Sequence, residues 1–208
     1  MKNKNKISII LNLIIIILEL IALSITFSKY IFKQDVWYSP FEYYTNLSNI
    51  LLLISSILML MPKKYLKFRY ISIVCTFLTF FCILFATVFT RDLSYALSIK
   101  GNMFLFLHTI CPILGFVSFM FFEKTENFKM INLLFPTLFS IIYATLLSIL
   151  YFHGMELPYI SYFAKQGLEI NVYLLISRAF IGIGLTAIIA FLIIIIKNRM
   201  KEERNGWN

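Results

Sequence analysis

The distribution of apolar residues divides the chain into six long hydrophobic runs separated by short polar stretches. A helix crosses about 30 Å of hydrocarbon with about 20 mostly apolar residues, and each run has that length. Runs this continuous are not typical of barrel strands, so helices must satisfy the backbone groups in lipid. The pattern predicts one all-α domain over residues 1–208, with spans at Ile7 to Ser28, Glu42 to Met61, Tyr70 to Thr90, Gly101 to Phe122, Phe128 to Phe152 and Val172 to Ile196.

Composition agrees with a membrane-embedded chain. Charged residues make up 14% of the sequence, against about 25% in soluble domains. The net charge of +9 does not indicate nucleic-acid binding, because the basic residues lie at the ends of apolar runs instead of on one face. The first run lacks a small-residue cleavage site before Lys29, so we interpret it as a helix and not as a signal peptide.

The basic residues also predict an orientation, because short cytoplasmic loops retain Lys and Arg. One side of the predicted topology holds thirteen of them, Arg69 and Lys197 included, and the other side holds five. Both termini are therefore expected on the cytoplasmic side, with the longest loop, His153 to Asn171, outside. The predicted location is the cell membrane, as a multi-pass protein of a bacterial plasma membrane.

Polar side chains within the predicted spans are few, and each is a functional-site hypothesis because its burial in lipid is costly. From the outer helix ends, at about 1.5 Å per residue, Glu19 lies roughly 13 Å deep, His108 and Asn49 roughly 10 Å, Arg178 roughly 9 Å and Thr45 roughly 5 Å. Thr45, Ser48 and Asn49 share a helix face, since they are spaced at i, i+3 and i+4. These residues predict a polar pocket open to the outer leaflet.

Each of these features also has a structural interpretation. Glu19 and Arg178 have similar depths and are expected to form an ion pair. The Thr45, Ser48 and Asn49 group is also typical of hydrogen bonds that hold helices together. A hydroxyl and an imidazole at similar depth, however, form a minimal nucleophile and base, which favours a reactive site at Thr45 and His108.

Other chemistries receive little support from the sequence. No phosphate-binding loop, zinc-protease or serine-hydrolase motif is present. Cys75, Cys82 and Cys111 all lie inside apolar runs, so we expect no disulfide and no metal site. Haem ligation by His108 and His153 is not favoured by their spacing. The sequence implies no metal and no organic cofactor.

The order of the polar motifs resembles the androgen-induced, FAR-17a-like family and its bacterial six-helix relatives. The resemblance covers most of the chain from Glu42 to Tyr162. The motifs that carry it are Tyr43-Tyr44-Thr45-Asn46-Leu47-Ser48-Asn49 in the second span, His108 four residues before Pro112, Pro136 with Tyr143 in the fifth span, His153-Gly154, and Leu157-Pro158-Tyr159.

This resemblance implies an intramembrane hydrolase that cleaves fatty acid esters of hydroxy fatty acids with a threonine nucleophile and a histidine. By motif, those roles fall on Thr45 and His108. An acidic residue common in the bacterial relatives after the His-x-x-x-Pro pattern is absent, since Gly115 to Met120 offers only Ser118. Phe135 and Phe139 also stand where tyrosine is common.

Two hypotheses of function follow. In the first, Thr45 attacks a lipid ester from the outer leaflet, His108 transfers the proton, and Ser48 or Asn49 donates to the oxyanion. Arg178 then holds a substrate carboxylate, and Glu19 is counted with the substrate-binding residues. In the second, the protein binds or transports a membrane lipid in the same polar cavity without hydrolysis. Hydrolysis requires Thr45 and His108 within hydrogen-bond reach, whereas binding requires only a shared cavity.

Overall fold

The computed structural model describes an all-α bundle over residues 2–32, 39–62, 65–90, 105–123, 127–155 and 172–206. Side chains at 2–5, 86–90, 172–175, 178 and 204–206 lie outside that description. The described part contains six long helical segments, which are α1 (Lys2–Ile31), α2 (Tyr44–Leu60), α3 (Leu66–Thr90), α4 (Phe106–Phe122), α5 (Met130–Phe152) and α6 (Val172–Gly206).

Four of these helices are long and apolar enough to cross a membrane, over Lys6–Ile31, Leu66–Phe85, Met130–Phe152 and Ala179–Glu203. The other two, α2 and α4, are apolar but shorter. The six predicted helices are therefore found at the expected places, with residues 101–104 of the fourth outside the described residues. The sixth continues beyond its predicted end at Ile196 to Gly206. The length and composition of these helices are those of a multi-pass membrane protein.

Contacts at one end of the bundle show how the helices are arranged. Asn12, early in α1, and Arg69, early in α3, both bind the carboxylate of Glu123, which directly follows α4. Late in α6, Asn198 exchanges two hydrogen bonds with the backbone of Phe128, just before α5. Glu123 and Phe128 both belong to the connection between α4 and α5. The start of α1 and the end of α6 therefore lie at the same end of the bundle, called here the terminal end. The start of α2 lies at the opposite, distal end.

A buried ion pair joins the helices at the terminal end. The Arg69 guanidinium is 0% exposed, its Nη2 lies 3.0 Å from Glu123 Oε1, and its Nη1 donates to Ser55 and Ser56 of α2. Glu123 Oε1 also accepts hydrogen bonds from Asn12 and from Ser118. We call this group the inner polar cluster, which comprises Asn12, Ser55, Ser56, Arg69, Ser118 and Glu123. It connects α1, α2, α3 and α4.

A second buried cation, from α6, caps the C-terminal end of α4. Lys197 is 1% exposed, and its Nζ donates to the backbone carbonyls of Phe119 and, at 3.0 Å, Met120. A helix leaves its last carbonyls without internal partners, so a lysine at this position satisfies them and the negative end of the helix dipole. The prediction that Arg69 and Lys197 are loop charges is wrong, because both lie within helices and are buried. Without these two residues, the basic count on that side is eleven against five.

An apolar layer separates the inner polar cluster from the polar residues nearer the distal end. A Cβ added to Gly115 would lie 3.0 Å from the terminal methyl groups of both Leu52 and Ile73, so the glycine lets these two side chains pack directly against the backbone of α4. Ile15 of α1 is 0% exposed and belongs to the same core. We call Ile15, Leu52, Ile73 and Gly115 the apolar layer.

Candidate functional site

A hydrogen bond joins the two residues singled out as nucleophile and base. Thr45 Oγ1 lies 3.0 Å from His108 Nε2, across the interface of α2 and α4. Thr45 is 8% exposed and His108 is half-buried. For the hydroxyl to donate to Nε2, the proton of the neutral imidazole must be on Nδ1. The structure thus brings together a hydroxyl and a base in the geometry that proton abstraction requires.

The position of Thr45 is set by the turn that precedes α2. Ser39 and Glu42 form a capping box around the short helical turn Pro40–Glu42, with Phe41 N–H donating to Ser39 Oγ and Ser39 N–H to Glu42 Oε1. The chain is extended at Tyr43 and becomes helical at Tyr44. Asn46 Nδ2 donates to Pro40 O at 2.9 Å, which ties the turn to the helix. Thr45 is therefore held in the first turn of α2.

Tyr143 of α5 holds the start of α2 from the side. Its hydroxyl accepts from Tyr44 N–H at 3.0 Å and donates to Glu42 O at 2.8 Å. The first N–H groups of a helix have no intrahelical acceptor, and the phenol supplies one. Tyr143 thereby fixes the backbone directly before Thr45. In the sequence, Tyr143 was notable only as part of the family resemblance.

A chain of hydroxyls fixes the side chain of Tyr44 and has a defined direction. Thr186 Oγ1 donates to Gly182 O at 2.8 Å, so it must accept from Ser140, which lies 2.9 Å away. Ser140 in turn must accept from the Tyr44 hydroxyl at 3.0 Å. Helices α2, α5 and α6 are connected in this way beside Thr45 and His108. No motif in the sequence indicated this contact, because it joins single residues on three separate helices.

Ser48 and Asn49 lie behind the pair and already use their donors. Ser48 Oγ donates to Thr45 O at 2.9 Å. Asn49 Nδ2 donates to Thr45 O and to Leu107 O, both at 2.8 Å. Neither side chain therefore keeps an N–H or O–H for an oxyanion, contrary to the expectation from the sequence. Asn49 instead connects the backbone of Thr45 to the residue before His108.

The helix around His108 explains why a carbonyl is available to Asn49. Residues Phe106–Ile110 are π-helical, and Cys111 N–H donates to Phe106 O. In this register the next donor, for Leu107 O, would be residue 112, but Pro112 has no N–H. Leu107 O consequently lacks an intrahelical partner and accepts from Asn49. The position of Pro112, five residues after Leu107 in a π-helical register, thus produces the contact that holds α4 against α2.

Of the two charged residues predicted near the site, Glu19 is described by the structure and the side chain of Arg178 is not. Glu19 is 0% exposed, and neither of its carboxyl oxygens has a hydrogen-bond partner among the described residues. The side chain of Arg178 lies outside the described residues, so the predicted Glu19 and Arg178 ion pair stays a prediction. Among the side chains that the structure describes, no three His, Cys, Asp or Glu could hold a metal ion. Cys75, Cys82 and Cys111 are free thiols.

No protein-family model, no curated protein and no solved structure matches this chain. Its function must therefore be inferred from the geometry of the site.

Proposed function

We propose that this protein is an intramembrane hydrolase that cleaves a lipid ester, with Thr45 as nucleophile and His108 as base. The observation that carries the proposal is the 3.0 Å distance between Thr45 Oγ1 and His108 Nε2. Other threonines within helices use their hydroxyls differently, since the half-buried Thr26 and the buried Thr76 donate to carbonyls of their own helices. Thr45 is directed to an imidazole on another helix.

The reaction would proceed in two halves. The Thr45 hydroxyl attacks the ester carbonyl as its proton passes to His108 Nε2, and the imidazolium then protonates the departing alkoxide. Water, deprotonated by the same imidazole, attacks the acyl group on Thr45, and the imidazolium returns that proton to Thr45 Oγ1 as the fatty acid is released. Thr45 is the second residue of α2, within about 3 Å of the helix end. This shallow depth suits the ester linkages of membrane lipids, which lie near the polar headgroups.

The negative charge on the tetrahedral intermediate needs donors other than Ser48 and Asn49. We assign this role to the backbone N–H groups of Thr45 and Asn46, because amides in the first turn of a helix have no intrahelical acceptor. They also lie at the positive end of the helix dipole of α2. Ser48 and Asn49 then act as positioning residues. For Arg178, binding of a substrate carboxylate remains the proposed role.

An active-site probe tests the nucleophile directly. Purified protein in lipid bilayers is treated with a lipid-like fluorophosphonate, and the modified residue is identified by peptide mass spectrometry. We expect one adduct on Thr45, and we expect it to be lost in His108→Ala because the hydroxyl then has no base. Thr26→Ala is the matched control and should leave labelling unchanged. If folded protein gives no adduct on Thr45, hydrolysis is excluded in favour of lipid binding without chemistry.

We further propose that the terminal end of the bundle faces the cytoplasm of a bacterial cell, since basic residues are enriched there. Phe41 at the distal end and Glu202 at the terminal end are both exposed. With the native cysteines replaced, a membrane-impermeant maleimide added to intact cells should label Phe41→Cys. It should label Glu202→Cys only after the membrane is permeabilised. The reverse pattern would show that the orientation is inverted and that the site opens to the cytoplasm.

A further inference from the structure

Glu19 occupies an exceptional position within α1. Its side chain is 0% exposed, and both carboxyl oxygens are buried without a hydrogen-bond partner. Ile15 and Ala22, about one helical turn to either side, are also 0% exposed. Glu19 therefore faces the interior of the bundle along the same face of α1 that packs against α2 and α4.

The surroundings of Glu19 provide no positive charge among the described side chains. The thiol of Cys111 lies beside the carboxyl, but it does not meet hydrogen-bond geometry with either oxygen. The buried guanidinium of Arg69 is bound to Glu123, beyond the apolar layer. The titratable groups described on the elements that pack against α1 are Glu42, Tyr44, His108, Cys111 and Glu123.

The unpartnered atoms along this interface are all acceptors. Among the described residues, Asn49 Oδ1 of α2 is buried and unpartnered, like the two oxygens of Glu19. Reversing the amide of Asn49 would not help, because its Nδ2 already binds two carbonyls. This interface therefore lacks a hydrogen-bond donor. A carboxyl group supplies one when it is protonated.

We propose that Glu19 is a proton-binding site inside the membrane bundle, whose carboxylate takes up one proton from water and holds it at neutral pH as the neutral acid. A buried carboxylate without a partner is strongly disfavoured, whereas the neutral acid removes the charge and adds a donor. This inference is independent of the proposed hydrolase. It also excludes an ion pair between Glu19 and Arg178, which would require the carboxylate.

Proton release has a structural consequence. It would leave an unpaired charge where α1 packs against α2 and α4, so the packed bundle retains the proton more strongly than the unfolded chain does. Stability decreases as pH rises wherever the folded state binds more protons. The melting temperature of the wild-type protein should therefore fall relative to that of Glu19→Gln between neutral and alkaline pH. The amide has a similar shape and cannot lose a proton in this range.

Infrared spectroscopy tests the protonation state without reference to activity. In lipid bilayers at neutral pH, we expect the wild-type protein to show the carbonyl band of a neutral carboxylic acid, and we expect Glu19→Gln to lack it. Glu42→Gln is the matched control and should keep the band. As a test that needs no variant, a hydrophobic carbodiimide, which reacts with protonated carboxyls in membranes, should modify Glu19 in the wild-type protein.

The opposite results would overturn the proposal. If wild-type protein has no acid band and Glu19 is not modified by the carbodiimide, the carboxylate is ionised. The appearance of both signals in Arg178→Met would then identify the ion pair as the reason. A melting temperature that keeps a constant difference from Glu19→Gln across pH would likewise exclude the proton-binding site. None of these outcomes bears on hydrolysis at Thr45.

Discussion

Thr45→Ala and His108→Ala should each lower the turnover of a susceptible lipid ester by about 10³-fold or more, because each removes one half of the nucleophile and base pair. Their combined effect should be close to that of either alone, since residues that act as one unit are strongly non-additive. Thr45→Ser keeps a hydroxyl and should retain measurable turnover. The measurement is release of fatty acid from lipid esters by purified protein in bilayers, followed by mass spectrometry.

The control for this series is Thr26→Ala. Thr26 also lies within a helix, but its hydroxyl donates only to Ala22 O in α1, so its loss should leave turnover within about twofold of wild type. Turnover that survives in folded Thr45→Ala would assign the reaction to another nucleophile. If Thr45→Ala loses stability together with turnover, the hydrogen bond between Thr45 and His108 is instead structural.

Arg69→Met should lower the free energy of unfolding by about 3–5 kcal/mol, because it leaves the buried carboxylate of Glu123 without its cation. Glu123→Gln should have a comparable effect, since the guanidinium of Arg69 is 0% exposed. The double variant Arg69→Met with Glu123→Gln should be less destabilised than the sum of the single variants. Lys129→Met removes an exposed cation and should change stability by less than about 0.5 kcal/mol.

Equilibrium unfolding in mixed detergent micelles provides these free energies for the wild-type protein and the four variants. A double variant whose loss equals the sum of the single losses would show that the two side chains are not coupled, contrary to the 3.0 Å contact between them. Because the inner polar cluster joins four helices, its loss should also reduce the cooperativity of unfolding.

The helices themselves could be predicted from the sequence, because their existence depends on hydropathy summed over about 20 residues. Thr45 and His108 could also be singled out, because an imidazole within an apolar run is rare and the family resemblance of the motifs implied a role for that threonine. Their depths were compatible with a contact. Whether they met, at 3.0 Å, depended on the rotation of α2 and α4 about their axes, which a helical pattern does not define.

The tertiary structure decided which polar groups have hydrogen-bond or ion-pair partners. The sequence indicated loop charges at Arg69 and Lys197, because hydropathy counts each cation as if it were buried without a partner. In the bundle, Glu123 and the carbonyls of α4 offset that cost. Ser48 and Asn49 were expected to serve a substrate, but the carbonyls of Thr45 and Leu107 use their donors. Such pairings join residues far apart in the chain, so the physical reason for them exists only once the helices pack.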